Sequence, residues 1–140
     1  MAGYSGTPLP KKLGIKDGFR VAFLNLPSEV KAELDDALAS CKKSKNVIPG
    51  LDFAMLFVKS QSDLKREFSR FAKSLAPAGI LWASWPKKSS GVAADLTEND
   101  VRRIGLETGL VDVKVCAVDE VWSGLKFVIR VKDRKKTATA

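Results

Sequence analysis

Leu51-Asp52-Phe53-Ala54-Met55-Leu56-Phe57-Val58 is the most apolar stretch of the chain, and Ile80-Leu81-Trp82-Ala83-Ser84-Trp85 is its counterpart further along. Each is short, continuous and bounded by polar or glycine-proline punctuation, the pattern of a strand buried on both faces. Between them Leu64, Phe68, Phe71, Ala72 and Leu75 recur at the spacing of one helix stripe, with Ser60 or Ser62 placed to cap it. Ala76-Pro77-Ala78-Gly79 breaks that helix. Two fully buried strands joined by a helix make a parallel βαβ unit, and parallel sheets need helices on both faces.

Upstream of this unit, Arg20-Val21-Ala22-Phe23-Leu24 follows the turn Asp17-Gly18 and reads as another buried strand. Before it, Thr7 to Gly14 reads as a short helix with Thr7 as the cap, Pro8 in the first turn and Gly14 as the stop. After it, Ser28 is placed to cap a helix carrying Val30, Leu34, Ala37 and Leu38, which dissolves into the polar run Lys42 to Asn46. Asn46 to Gly50 contains Pro49 and is at most a brief edge strand. Downstream, Thr97 and Asp100 have capping-box spacing ahead of Val101 and Ile104, and Gly109 ends that helix. The period then changes to two. Val111, Val113, Val115 and Ala117 alternate with polar residues, as do Leu125, Phe127, Ile129 and Val131, which predicts two strands joined by a loop around Trp122-Ser123-Gly124. The expected architecture is a three-layer, Rossmann-like α/β fold, mostly parallel, with an antiparallel C-terminal strand pair.

A length of 140 residues suits one domain, read here as residues 1–131 followed by a basic, disordered tail at 132–140. The net charge is +8, and half of that excess lies between Arg130 and Lys136, where five cations face only Asp133. Such a tail can attract nucleic acid, although no RNA- or DNA-binding motif accompanies it. No apolar run reaches the roughly 20 residues of a membrane helix and the start carries no hydrophobic signal, so a cytoplasmic protein with no membrane partner is expected. Cys41 and Cys116 are far apart and fit a reducing compartment.

The chain has no histidine. That removes the commonest general base, the Ser-His and Cys-His nucleophile pairs and most zinc sites, and no metal site is expected. Catalysis would have to come from carboxylates, lysines, Tyr4 or a bound cofactor.

Leu13 to Val21, Leu51 to Trp85 and the terminal strand pair resemble, in order, the lead-in to the first strand, the fourth and fifth strands, and the sixth and seventh strands of class I S-adenosylmethionine-dependent methyltransferases. The opening Tyr4-Ser5-Gly6-Thr7-Pro8-Leu9, with Ser84-Trp85-Pro86-Lys87-Lys88 and Val115 to Leu125, is similar to an uncharacterised bacterial domain-of-unknown-function family, over nearly the whole chain. The methyltransferase resemblance implies the fold. It does not supply the cofactor site, because the family's glycine-rich loop after the first strand is replaced by Asn25-Leu26-Pro27-Ser28, and its acidic ribose ligand has no clear counterpart. S-adenosylmethionine is therefore not the expected cofactor.

Ligands of open parallel sheets bind beyond the strands' carboxyl ends. Those ends should gather Asn25, Ser28, Lys59, Ser84, Trp85, Lys87, Lys88, Trp122 and Ser123. Aromatic planes beside ammonium groups suit a small anionic, partly planar ligand, and helix N-termini after Ser28 and Ser60 would add backbone donors. The plainer reading has Trp85 and Trp122 capping the core, Lys87 and Lys88 in a solvated loop, and Lys59 paired with a carboxylate. Asp119 and Glu120 form a weaker acid/base candidate, since neighbours on a strand point to opposite faces. Cys116 reads as a small buried hydrophobe and Cys41 as the more reactive thiol.

Three functions follow. The first is a noncatalytic or regulatory domain binding a small anionic ligand or a protein at the strand-end edge. The alternatives are a divergent S-adenosylmethionine-dependent methyltransferase and weak nucleic-acid binding through the tail.

Overall fold

A computed structural model describes residues 7–134 of the chain. Tyr4 to Gly6 of the opening motif and residues 135–140 of the expected tail lie outside them.

The stretch Leu51–Phe57 forms strand β3 and sits inside a six-stranded sheet of order β2-β1-β3-β4-β6-β5. Its parallel neighbours are β1 (Arg20–Leu24) and β4 (Leu75–Pro86), and β2 (Lys42–Ser44) closes one edge, also in parallel. Strands β5 (Leu110–Ala117) and β6 (Trp122–Ile129) run antiparallel, with β6 between β4 and β5. The expected fold class is the observed one.

The sheet separates two cores. Ala54, Leu56 and Val58 pack with Leu64, Phe68 and Phe71 of α3 (Gln61–Ala72) and with Val101 and Ile104 of α4 (Glu98–Leu106). Phe53, Met55 and Phe57 pack instead with α1 (Leu9–Leu13) and with Val30, Leu34 and Leu38 of α2 (Ser28–Leu38). Alternation along β3 thus feeds both faces, as expected of a doubly covered strand. On the α3/α4 face Phe68 meets Phe127 edge-on at 4.9 Å, and Gly105 lets α4 approach so closely that an added Cβ would run into the Phe127 ring. On the α1/α2 face the fully buried Trp82 donates its indole N–H to the Leu13 carbonyl at 2.9 Å, which satisfies its polar atom and fixes α1.

Several local expectations change. Pro8, not Thr7, is the N-cap of α1, and Pro27 precedes α2, with Ser28 as its first helical residue and no side-chain cap. The edge strand lies at Lys42–Ser44 rather than Asn46 to Gly50: backbone pairing with Arg20 to Ala22 builds it without an apolar pattern. Ala76 to Gly79, expected to break the helix, comes after it: α3 already ends at Ala72, and these residues bulge within β4, because Leu51 pairs with Leu75 while Phe53 pairs with Ile80. A Cβ at Gly79 would lie 2.6 Å from the Leu51 carbonyl oxygen, so only glycine fits. Trp122 to Gly124 belong to β6, and the turn is Val118 to Val121. The capping box of α4 is present as expected, with Asp100 N–H donating to Thr97 and Thr97 N–H donating to the Asp100 carboxylate. Near the C-terminus Val131–Asp133 forms one 3-10 turn, fastened by an Arg130–Asp133 pair at 3.0 Å.

Candidate functional site

A cleft of about 390 Å³ opens at the carboxyl ends of β1 and β3, lined by Asn25, Pro27, Phe57, Val58, Lys59, Asp63 and Trp122. The turn after β1 creates one wall. Asn25 takes the left-handed conformation (φ 58°) and donates from its side-chain amide to the Phe57 carbonyl at 3.2 Å. Asparagine is among the few residues that tolerate this conformation. It bends the backbone where the resembled family uses glycine. Pro27 follows and adds a ring to the wall, where it can donate no N–H.

The opposite wall is Trp122, which meets Phe57 edge-on at 5.1 Å and remains half-buried. The turn before it is rigid. The Asp119 carboxylate accepts from the backbone N–H groups of Val121 and Trp122, both at 2.8 Å, and Lys87 donates to the Asp119 carbonyl at 2.7 Å. Asp119 is thereby a turn former, the Asx arrangement that suits this side chain. Glu120 is not joined to it as an acid/base pair by any hydrogen bond among the described residues.

The floor ends at Val58-Lys59-Ser60. Lys59 is exposed, and its ammonium makes no ion pair or hydrogen bond among the described residues. Asp63, one turn into α3, receives Arg66 at 2.7 Å, and that hydrogen bond holds its carboxyl below the usual carboxylate range. The α3 N-terminus is closed to an anion. Ser60 accepts from Asp63 N–H, and the Gln61 N–H donates at 2.8 Å to Asp95, a residue 34 positions away that the sequence pattern did not single out. Of the two helix N-termini expected to offer donors, only that of α2 lacks a side-chain cap.

The structure therefore gathers Asn25, Lys59 and Trp122, together with Phe57, Val58, Pro27 and Asp63. Ser28 stands one residue past the cleft wall at Pro27, and its hydroxyl lies 3.4 Å from Glu29. Trp85 does not join Trp122: it is 6% exposed and belongs to the α3/α4 core, while Trp122 packs on the α1/α2 side. Opposed residues decide this, since Trp85 pairs with Ser123 and Pro86 with Trp122. Ser123 is accordingly directed with Trp85 and away from the cleft. Lys88 starts a short 3-10 helix and is exposed. Ser84 is fully buried, and its hydroxyl has no partner among the described residues; it does not line the cleft. Both thiols are pushed up, Cys41 chiefly by desolvation, as is the more buried Cys116. Neither is an activated nucleophile.

With this geometry in place, comparison with solved structures assigns the architecture. A structure described as a SAM-dependent methyltransferase from Aquifex aeolicus superposes with a TM-score of 0.58 at 15% identity, covering 84% of this chain and 85% of that one. The core is methyltransferase-like. A putative methyltransferase from Thermoplasma acidophilum matches at a TM-score of 0.54 and 9% identity over 88% of this chain and 74% of its own. The fibrillarin pre-rRNA processing protein of Methanococcus jannaschii matches at 0.54 and 12%, over 88% and 69%. At such identities the likeness concerns the fold. No protein-family model matches the chain, and no curated protein matches it in sequence.

In the resembled fold a glycine-rich first turn and an acidic residue after the second strand hold S-adenosylmethionine. Here the first turn lacks glycine and carries Pro27 on the cleft wall, and β2 runs on into Lys45-Asn46 with no carboxylate at its end. The set departs from the way the fold ordinarily holds that cofactor. Among the described residues no group of three His, Cys, Asp or Glu side chains could hold a metal, and no helix is long and apolar enough to cross a membrane.

Proposed function

We propose that this chain is a ligand-binding domain on a methyltransferase-like fold, taking a small anionic ligand with a planar ring between Asn25 and Trp122. The observation that supports this most is the pairing, in one cleft, of an unengaged Lys59 ammonium with the half-buried ring of Trp122. A ring can stack against indole while the ammonium meets the anion. The absence of histidine and the engagement of Asp63 and Asp119 elsewhere leave the cleft without a ready general base, which favours binding over catalysis.

A second reading, a divergent S-adenosylmethionine-dependent methyltransferase, is the one the fold comparison favours. Asn25 also speaks for it, because its left-handed turn keeps the strand-end cleft open without glycine. In both readings residues 1–131 act as one domain and residues 132–140 as a basic tail, in a cytoplasmic protein of the uncharacterised bacterial family noted above.

One titration separates the readings. Adenosine monophosphate, S-adenosylmethionine and S-adenosylhomocysteine are added while tryptophan fluorescence and thermal stability are followed. The ligand-binding reading expects a monophosphate-induced change that disappears in Trp122→Ala and Lys59→Ala. Preferential binding of S-adenosylmethionine would move the methyltransferase to the front. No response to any compound would remove the small-ligand reading and leave a protein partner.

A further inference from the structure

A second charged feature lies away from the cleft, on the sheet face covered by α1. In the antiparallel β5–β6 pair, Lys114 is directly opposite Lys126. Opposed side chains leave the same face with Cβ atoms about 4.5–5.5 Å apart, and like charges in that position repel. The next pair on that face is Cys116 and Gly124, with Cys116 against the α1/α2 core. Lys126 is partly buried. Desolvation lowers the pKa of its ammonium, and the charges of Lys114 and Lys16 push it the same way. Lys12 and Lys87 border the patch, donating to the Ala117 and Asp119 carbonyls at 2.9 and 2.7 Å at the end of the same hairpin.

Nearby carboxylates do not neutralise this group. Asp17, beside Lys16 in sequence, accepts from the Ser40 hydroxyl. Asp112 is paired with Arg102 toward α4, and Asp119 holds two backbone amides of its own turn. Among the described residues Lys16, Lys114 and Lys126 enter no ion pair. Elsewhere on the surface Arg66, Arg70, Arg102, Arg103 and Arg130 each have a carboxylate, as does Lys31.

We infer that this face is a second anion site, binding a chain of two or more linked phosphate groups, with Lys114 and Lys126 as its principal contacts and Lys16 at its rim. Ammonium groups are compact point charges with several donors, and they suit phosphate oxygens arriving in varied directions. One monoanion would leave most of the cluster uncompensated, whereas linked phosphates bring several charges at once. Among the described residues Lys114 makes no cation–ring contact, so the recognised chemistry is the phosphate chain and not a base. The site is independent of the ligand proposed for the Asn25–Trp122 cleft.

The test uses the full chain with inorganic tripolyphosphate, ATP and adenosine monophosphate, read by calorimetry and by melting temperature. Tripolyphosphate should bind and raise the melting temperature, with the monophosphate at least tenfold weaker at this site. Equal binding of tripolyphosphate and ATP would assign recognition to the phosphates alone; tighter ATP binding that is still lost with the lysines would point to a nucleotide as the source of the chain. Lys114→Gln and Lys126→Gln should each weaken tripolyphosphate binding several-fold while raising the melting temperature of the ligand-free protein, because each relieves the cross-strand repulsion. Lys65→Gln, an equal loss of charge on the α3 surface, should do neither. Tripolyphosphate binding that survives both substitutions, or falls equally in Lys65→Gln, would overturn the inference. So would the absence of tripolyphosphate binding, or a marked preference for a single-stranded oligonucleotide over tripolyphosphate at the same lysines.

Discussion

The two faces of the sheet are built by different rules. The α3/α4 face is tightly knit at its centre: Phe68 locks on Phe127, Gly105 brings α4 down to the sheet, and arginines on both helices find carboxylates on their own or neighbouring elements. The α1/α2 face is covered by a five-residue helix and one longer one, leaves Trp122 half-buried at a cleft, and carries Lys16, Lys114 and Lys126, which enter no ion pair among the described residues. Complementary packing and charge on one side describe a surface finished by folding. Uncompensated charge and an accessible ring on the other describe a surface that awaits something else.

The sharpest way to break this contrast is a deletion in the closed core. Phe127→Ala should cost about 3–5 kcal/mol in urea unfolding, since it empties the space between α4 and β6. A cost no larger than that of Trp122→Ala would show that the two faces are not differently packed. A smaller effect comes from Ser84, whose hydroxyl is enclosed without a partner among the described residues. An unsatisfied buried hydroxyl costs roughly 1–3 kcal/mol, so Ser84→Ala should stabilise the protein by up to that amount. A destabilised variant would show that the hydroxyl is in fact engaged.

The smallest expected effect is a matter of pH. Lys126 holds its proton less firmly in the folded protein than its ordinary value near 10.5 implies, so protonation favours the unfolded chain. That cost is full at neutral pH, is relieved as pH rises through the lowered value, and vanishes above the ordinary one. Lys126→Gln should therefore melt above the unaltered protein at neutral pH, and the gap should close as pH approaches 10.5. A gap that is constant with pH would mean the cluster is not electrostatically strained.

Much of the closed face was legible in the residues. The stripe Leu64, Phe68, Phe71 and the Thr97–Asp100 box report local periodicity and local hydrogen bonds, which depend only on neighbours a few positions away. The cleft was partly legible. Asn25, Lys59 and Trp122 end or begin strands, and such positions can be read once strands are found. Whether Trp85 caps the core or joins the cleft was not legible, because two tryptophans at the same edge can leave opposite faces, and only the pairing of Trp85 with Ser123 decides which. Asp95, which seals α3, gives no local signal at all: its partner Gln61 is a long-range contact. The strand Lys42–Ser44 was missed for a related reason, since backbone pairing at an edge asks little of side chains.

The order of residues alone determined the alternation of buried strands and helices, the change to a two-residue period near the end and the lack of imidazole chemistry, because each is a property of short segments or of composition. Folding in three dimensions decided the register between strands. Register turns every side chain toward one core or the other, and it placed Lys114 against Lys126, Trp122 against Phe57 and Trp85 out of reach. Cross-strand pairing joins residues distant in the chain, and no local pattern specifies it.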